Sequence, residues 1–99
     1  MSYLRANPST QQTNTNLEPS ISGTHCKIHE VYVSSDTEML VTLLNADSHT
    51  VLFRIYVGAR GGVVLPHTFR TAVGEGIDYT TSTNGNVYLA VEFERIGKG

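Results

Sequence analysis

The chain has 99 residues, enough for one small domain. Seven Lys and Arg against nine Asp and Glu give a formal net charge of −2, which argues against a nucleic-acid partner held by a clustered basic surface. One cysteine rules out an intramolecular disulfide and a multi-cysteine zinc site. No apolar run approaches the roughly 18 residues of a membrane span, so no membrane partner is expected.

The opening residues Met1 to Arg5 lack an apolar core, so no signal peptide is expected there. Residues 6–20 are rich in Ser, Thr, Asn and Gln, carry Pro8 and Pro19, and hold one large apolar residue, Leu17. They show neither a period of 2 nor one of 3.6. Such a segment buries little apolar area to offset its ordering entropy. The reading is an extended or disordered N-terminal arm, residues 1–20, ahead of a β domain at 21–99. The arm becomes useful if it orders on a neighbouring surface, with Tyr3 and Leu4 as its anchor.

From residue 21 β-branched and aromatic residues alternate with Gly, Asn and Asp clusters at short spacing. This predicts an all-β fold, a small antiparallel β-sandwich or short jelly roll. The first strand is Cys26 to Val33, with apolar groups on both faces and no obvious inward side. Ser34-Ser35-Asp36 is a turn. Glu38 to Asn45 follows, with Met39, Val41 and Leu43 alternating against Leu40, Thr42 and Leu44. A hairpin-length loop, Asn45 to His49, leads to Thr50–Val57, with Val51, Phe53, Ile55 and Val57 on one face.

Gly61-Gly62 then allows positive φ or close backbone approach. Val63 to Leu65 is a short strand ended by Pro66, which favours an edge position. His67 to Val73 is a weak strand or loop. Ile77 to Thr83 is a strand, and Asn84-Gly85 is the strongest turn signal, matching a two-residue type I′ hairpin. In the last strand, Asn86 to Ile96, Val87, Leu89, Val91 and Phe93 face in.

A core of this size is marginal without a disulfide or metal. Oligomerisation is therefore the expected extra source of stability. The second faces of the early strands, Leu40, Leu44, Leu52 and Tyr56, suit a subunit interface or burial between two sheets. Arg54, Arg60 and Arg70 are interface candidates because the guanidinium presents a planar fork of donors.

No catalytic constellation emerges. His25 and His29 share a strand face but lie roughly 13 Å apart at the strand rise, too far for one zinc ion. Cys26 has no basic cluster or helix terminus to activate it and reads as a small buried hydrophobe. Glu75, Asp78 and Glu92 have no spacing that favours a paired-carboxylate site. No Gly-x-Ser-x-Gly elbow is present. No enzyme activity, metal or other cofactor is expected.

The stretch Gly74-Glu75-Gly76-Ile77-Asp78-Tyr79-Thr80-Thr81-Ser82-Thr83-Asn84-Gly85-Asn86-Val87-Tyr88 resembles the closing segment of small tailed-phage virion proteins. Ile55-Tyr56-Val57-Gly58, Val64-Leu65-Pro66 and the opening Cys26-Lys27-Ile28 with Val31 extend the resemblance over residues 22–96. It implies a β-sandwich or short jelly roll of the capsid decoration, cement or head-fibre type. It implies no enzymatic role, the major capsid protein as partner, a homotrimer, and residence on the capsid surface after synthesis in the host cytoplasm. Tyr3, Leu4, Arg54, Tyr56, Arg60, Val63, Pro66 and Arg70 are the expected contact residues. The alternatives are a tail, baseplate or fibre module, or a carbohydrate-binding module with Tyr32, Tyr56, Tyr79 and Tyr88 as stacking platforms. The lack of tryptophan counts against the last.

Overall fold

The computed structural model describes residues 2–65 and 68–97. Nine strands and no helix lie among them: β1 (Ser2–Ala6), β2 (Thr15–Glu18), β3 (Thr24–Ser35), β4 (Met39–Asn45), β5 (Val51–Val57), β6 (Gly61–Leu65), β7 (Phe69–Arg70), β8 (Ile77–Thr81) and β9 (Val87–Gly97). They form two antiparallel sheets. Sheet A has the order β1-β9-β3-β6, with β7 also on β3, and sheet B has the order β2-β8-β4-β5.

The pairings are nested. β4 pairs β5, β3 pairs β6 and β7, β2 pairs β8, and β1 pairs β9. The chain is thus one long hairpin, folded at the β4–β5 loop and rolled up. The pairs β3·β9 and β4·β8 seal the roll. With β6 and β7 counted as one broken strand, this is the eight-stranded jelly roll.

Alternation fills the space between the sheets. β9 contributes Val87, Leu89, Val91 and Phe93, as the sequence pattern predicts, and β4 contributes Met39, Val41 and Leu43. Ile55 and Val57 of β5 and Ile77 and Tyr79 of β8 complete the far wall. In β3 both Cys26/Ile28 and Val31/Val33 are buried. The register against β9 shifts between Ile28 and Glu30. A β-bulge there inserts one extra residue and turns the second half of the strand over. This explains the two apolar faces in the sequence.

The boundary expected at residue 20 does not divide the structure. β1 and β2 lie in the first 20 residues, one on the edge of each sheet, and Leu4, Ala6 and Leu17 pack against the core. Between them the polar run is held by hydrogen bonds. Gln12 N donates to Thr81 Oγ1 at 2.8 Å, Asn14 N to Thr80 Oγ1 at 2.9 Å, and Val87 N to the Pro8 carbonyl at 3.0 Å. The segment is extended, and its order comes from polar pairing with β8 and its flanks.

The turn at Asn84-Gly85 also differs from expectation. β8 and β9 belong to different sheets, so their connection is an arch and not a two-residue hairpin. Gly85 has φ +155° and Asn84 is not among the positive-φ residues, whereas a type I′ turn needs both. A Cβ on Gly85 would lie 2.8 Å from Thr37 Oγ1. Beside Gly61-Gly62 the positive φ falls on Arg60, at +58°. The glycines instead serve close approach, since a Cβ on Gly62 would sit 3.2 Å from Tyr32 Oη.

Candidate functional site

The outer face of sheet A is built by register. Arg5, Ala90, Tyr32 and Val64 lie in one row across β1, β9, β3 and β6. Tyr88, Ser34 and Gly62 form the next row toward one end, and Tyr3, Glu92 and Glu30 a row toward the other. Tyr3, Tyr32, Val64 and Tyr88 are all exposed there, Tyr3 at 60% and Val64 at 52%. Apolar and aromatic groups on this scale stand out on the surface of so small a domain.

At the Tyr88 end the face dips into an open groove of about 410 Å³. Tyr32 and Tyr88 form its wall, edge to face, with ring centroids 6.0 Å apart and planes at 63°. Asn7, Asp36, Arg60 and Asn86 supply its polar groups. Asp36 is locked in place. Asn86 N donates to Oδ1 at 2.9 Å, Asn86 Nδ2 to Oδ2 at 2.8 Å, and Thr37 Oγ1 to Oδ1 at 2.8 Å. These bonds, that from the Asn86 side chain first, hold its carboxyl below the usual aspartate value. The Arg60 turn is fixed by its N–H, which donates to the Ser35 carbonyl at 2.8 Å. The Arg60 guanidinium has no hydrogen-bond or ion-pair partner among the described residues.

A second exposed strip lies on sheet B. Tyr56 is 73% exposed on the edge strand β5, opposite Leu40 of β4, and Arg54 is exposed opposite Thr42. Leu44 is buried and Leu40 and Leu52 are half-buried, so of the second-face residues expected at an interface Tyr56 is the one left open.

The predicted contact residues therefore separate. Tyr3 and Arg60 are on the sheet A side, and Arg54 and Tyr56 are on sheet B. Arg70 is on β7 at the opposite end from Arg60, where its Nη1 donates to His25 Nε2 at 3.3 Å. Leu4 and Val63 are corrected: alternation turns both inward against the core, and their neighbours Tyr3 and Val64 take the exposed positions. Pro66 lies outside the described residues. β6 does occupy a sheet edge, as its sequence predicts. Of the four tyrosines weighed as platforms, Tyr79 is buried, Tyr56 stands apart on sheet B, and Tyr32 and Tyr88 meet. Asn7, Asp36 and Asn86 were missed as site residues. Each reads locally as turn or arm, and only the β3·β9 pairing and the closure by β1 gather them.

The reactive residue types are occupied elsewhere. Cys26 is buried, with its thiol pushed up chiefly by burial, and Thr71 brackets its backbone. His29 meets Glu94 at 2.8 Å. Glu75 accepts from Asp47 N, Ser48 N and Ser48 Oγ, and so ties off the β4–β5 loop. Asp78 is buried against Asn16, with His49 at 3.7 Å. Glu92 lies on the other sheet. Among the described residues no group of three His, Cys, Asp or Glu is placed to hold a metal. Compared with protein-family models, with curated proteins and with solved structures, the chain gave no match.

Proposed function

We propose that this chain is a non-enzymatic phage virion structural protein, a decoration or cement protein that docks on the major capsid protein. The carrying observation is the Tyr56–Arg54 strip, a 73% exposed tyrosine beside an exposed arginine on an edge strand. Tyrosine and arginine are the residue types that anchor interfaces, and here both project from a rigid sheet. The jelly-roll topology and the segment 74–88 support the same reading, by analogy of fold and texture. Many identical copies would make a weak single contact effective and stabilise the shell by mass action. The reading includes a homotrimer. It no longer uses residues 1–20 as a reaching arm, because those residues complete the chain's own sheets.

The test is isolation of particles made by the genome that encodes the chain. The chain should sediment with virus-sized particles, and an epitope tag should label the head. Arg54→Glu with Tyr56→Ala should release it, and light scattering should give about three times the chain mass. A wild-type chain that stays wholly in the soluble fraction overturns the proposal, and a tag found on the tail replaces it with a tail part.

A further inference from the structure

We propose that the groove between Tyr32, Tyr88 and Arg60 is a saccharide-binding site that takes a short neutral glycan. It lies on the sheet opposite the Tyr56 strip and goes beyond the docking role.

The argument is chemical fit. A pyranose ring has an apolar C–H face and a rim of hydroxyls, each both donor and acceptor. The groove offers an aromatic wall, with Tyr32 and Tyr88 held edge to face at 6.0 Å. Beside it stand an acceptor and a donor. The Asp36 carboxylate has two oxygens with about four lone-pair sites. Three are taken by Asn86 and Thr37, which leaves one on Oδ2. The Arg60 guanidinium brings five N–H donors and spends none on the described residues. Neither tyrosine hydroxyl has a hydrogen-bond partner among them.

Other ligand classes fit less well. An aliphatic ligand would strip water from Asp36, Arg60 and Asn86 and return no hydrogen bonds. A phosphate or sulfate would face the Asp36 carboxylate, which is ionised at neutral pH and whose hydrogen bonds favour its charged form further. The volume, about 410 Å³, falls within the range of small-ligand sites.

The Asp36 carboxylate and the backbone that carries Arg60 are also set before any ligand arrives. Asp36 is fixed by three bonds and the Arg60 turn by its bond to Ser35. Gly62 leaves room for the Tyr32 ring, since a Cβ there would lie 3.2 Å from Oη and shift the ring by a few tenths of an ångström. Preorganisation of this kind lowers the entropic cost of binding.

The test is an array of immobilised neutral and acidic glycans probed with the labelled full chain, followed by NMR titration of the strongest soluble hit. Neutral glycans should bind, with amide shifts confined to residues 6–8, 32–36, 58–62 and 86–88. Tyr88→Ala should weaken binding by roughly tenfold or more, while Tyr88→Phe stays within about threefold. Arg60→Gly should also weaken it by roughly tenfold, and glycine keeps the turn because it accepts φ +58°. Arg54→Glu with Tyr56→Ala should leave glycan binding unchanged, which separates this site from the docking strip. Absence of glycan binding up to about millimolar concentration overturns the proposal. So do shifts elsewhere on the chain, variants at Tyr88 and Arg60 that bind as wild type, or a thymidine oligonucleotide that takes the groove in place of sugars.

Discussion

Substitution Gly76→Ala decides whether residues 1–20 belong to the fold. Gly76 sits just before β8, and its φ is not positive, so alanine suits its backbone. The obstacle is the end of β2. A Cβ on Gly76 would lie 1.9 Å from the Glu18 carbonyl oxygen and 2.6 Å from the carbonyl carbon and oxygen of Pro19. All three are backbone atoms, so the strand itself must retreat by more than about 1 Å to restore normal contact. Its retreat works against three ties. Gly76 N donates to Ser20 Oγ at 3.0 Å, Arg95 donates to the Pro19 carbonyl at 3.0 Å, and Arg95 pairs with the Glu18 carboxylate.

Overpacking of this kind costs about 1–3 kcal/mol and a lost hydrogen bond about 1 more. We expect a loss of about 2–4 kcal/mol, out of the 5–15 typical of a domain. For a chain of this length that lowers Tm by roughly 10 °C or more. If the first 20 residues were a free arm, the same change would be neutral or stabilise by about 0.4–1 kcal/mol through the unfolded chain. The sign therefore separates the two pictures. Urea titration followed by far-UV circular dichroism gives the result, and a midpoint equal to or above wild type would refute the docked strand.

Arg95→Met should cost about 1–3 kcal/mol in urea titration, because it leaves the half-buried Glu18 carboxylate unpaired, and Glu18→Gln in the same chain should recover part of it. Asp36, Glu75 and Glu94 are all held below their ordinary values, chiefly by the Asn86 side chain, the Ser48 backbone N–H and His29 respectively. Depressed folded pKa values give stability that is present above the unfolded values and lost as pH falls through the folded ones. The urea midpoint should therefore drop as pH is lowered below about 4.5, with a shallower drop in Glu75→Gln. Cys26 should react with a thiol reagent only through opening of the fold, so its labelling rate should rise steeply with urea, and rapid labelling of the native chain would contradict its placement in the core.

β9 was readable because Val87, Leu89, Val91 and Phe93 keep strict alternation over a strand buried on one face. β3 was only half readable, since one bulged residue moves the core from the even positions Cys26 and Ile28 to the odd positions Val31 and Val33. The first 20 residues defeat a reading based on apolar periodicity for a different reason. Besides the β1·β9 and β2·β8 ladders, their order rests on side-chain oxygens of Thr80, Thr81 and Asn84, which accept from the backbone N–H groups of Gln11, Gln12 and Asn14. Partners 66 to 73 positions away leave no local trace. The same holds for the groove. Tyr32, Tyr88 and Arg60 stand out singly by residue type, but Asp36 and Asn86 are ordinary turn residues until β3 pairs with β9.

The closed single-chain roll depends on β1 lying against β9 of the same chain, and the most direct measurement is the backbone contact between Leu4 and Val91. These residues are paired in the antiparallel register. We predict a nuclear Overhauser effect between them in uniformly labelled protein, and none in an isotope-filtered experiment on a mixture of labelled and unlabelled chains. Absence of the contact in the labelled protein would free the first strand. Its appearance in the filtered experiment would place β1 on a second copy, and either result would contradict the closed single-chain roll.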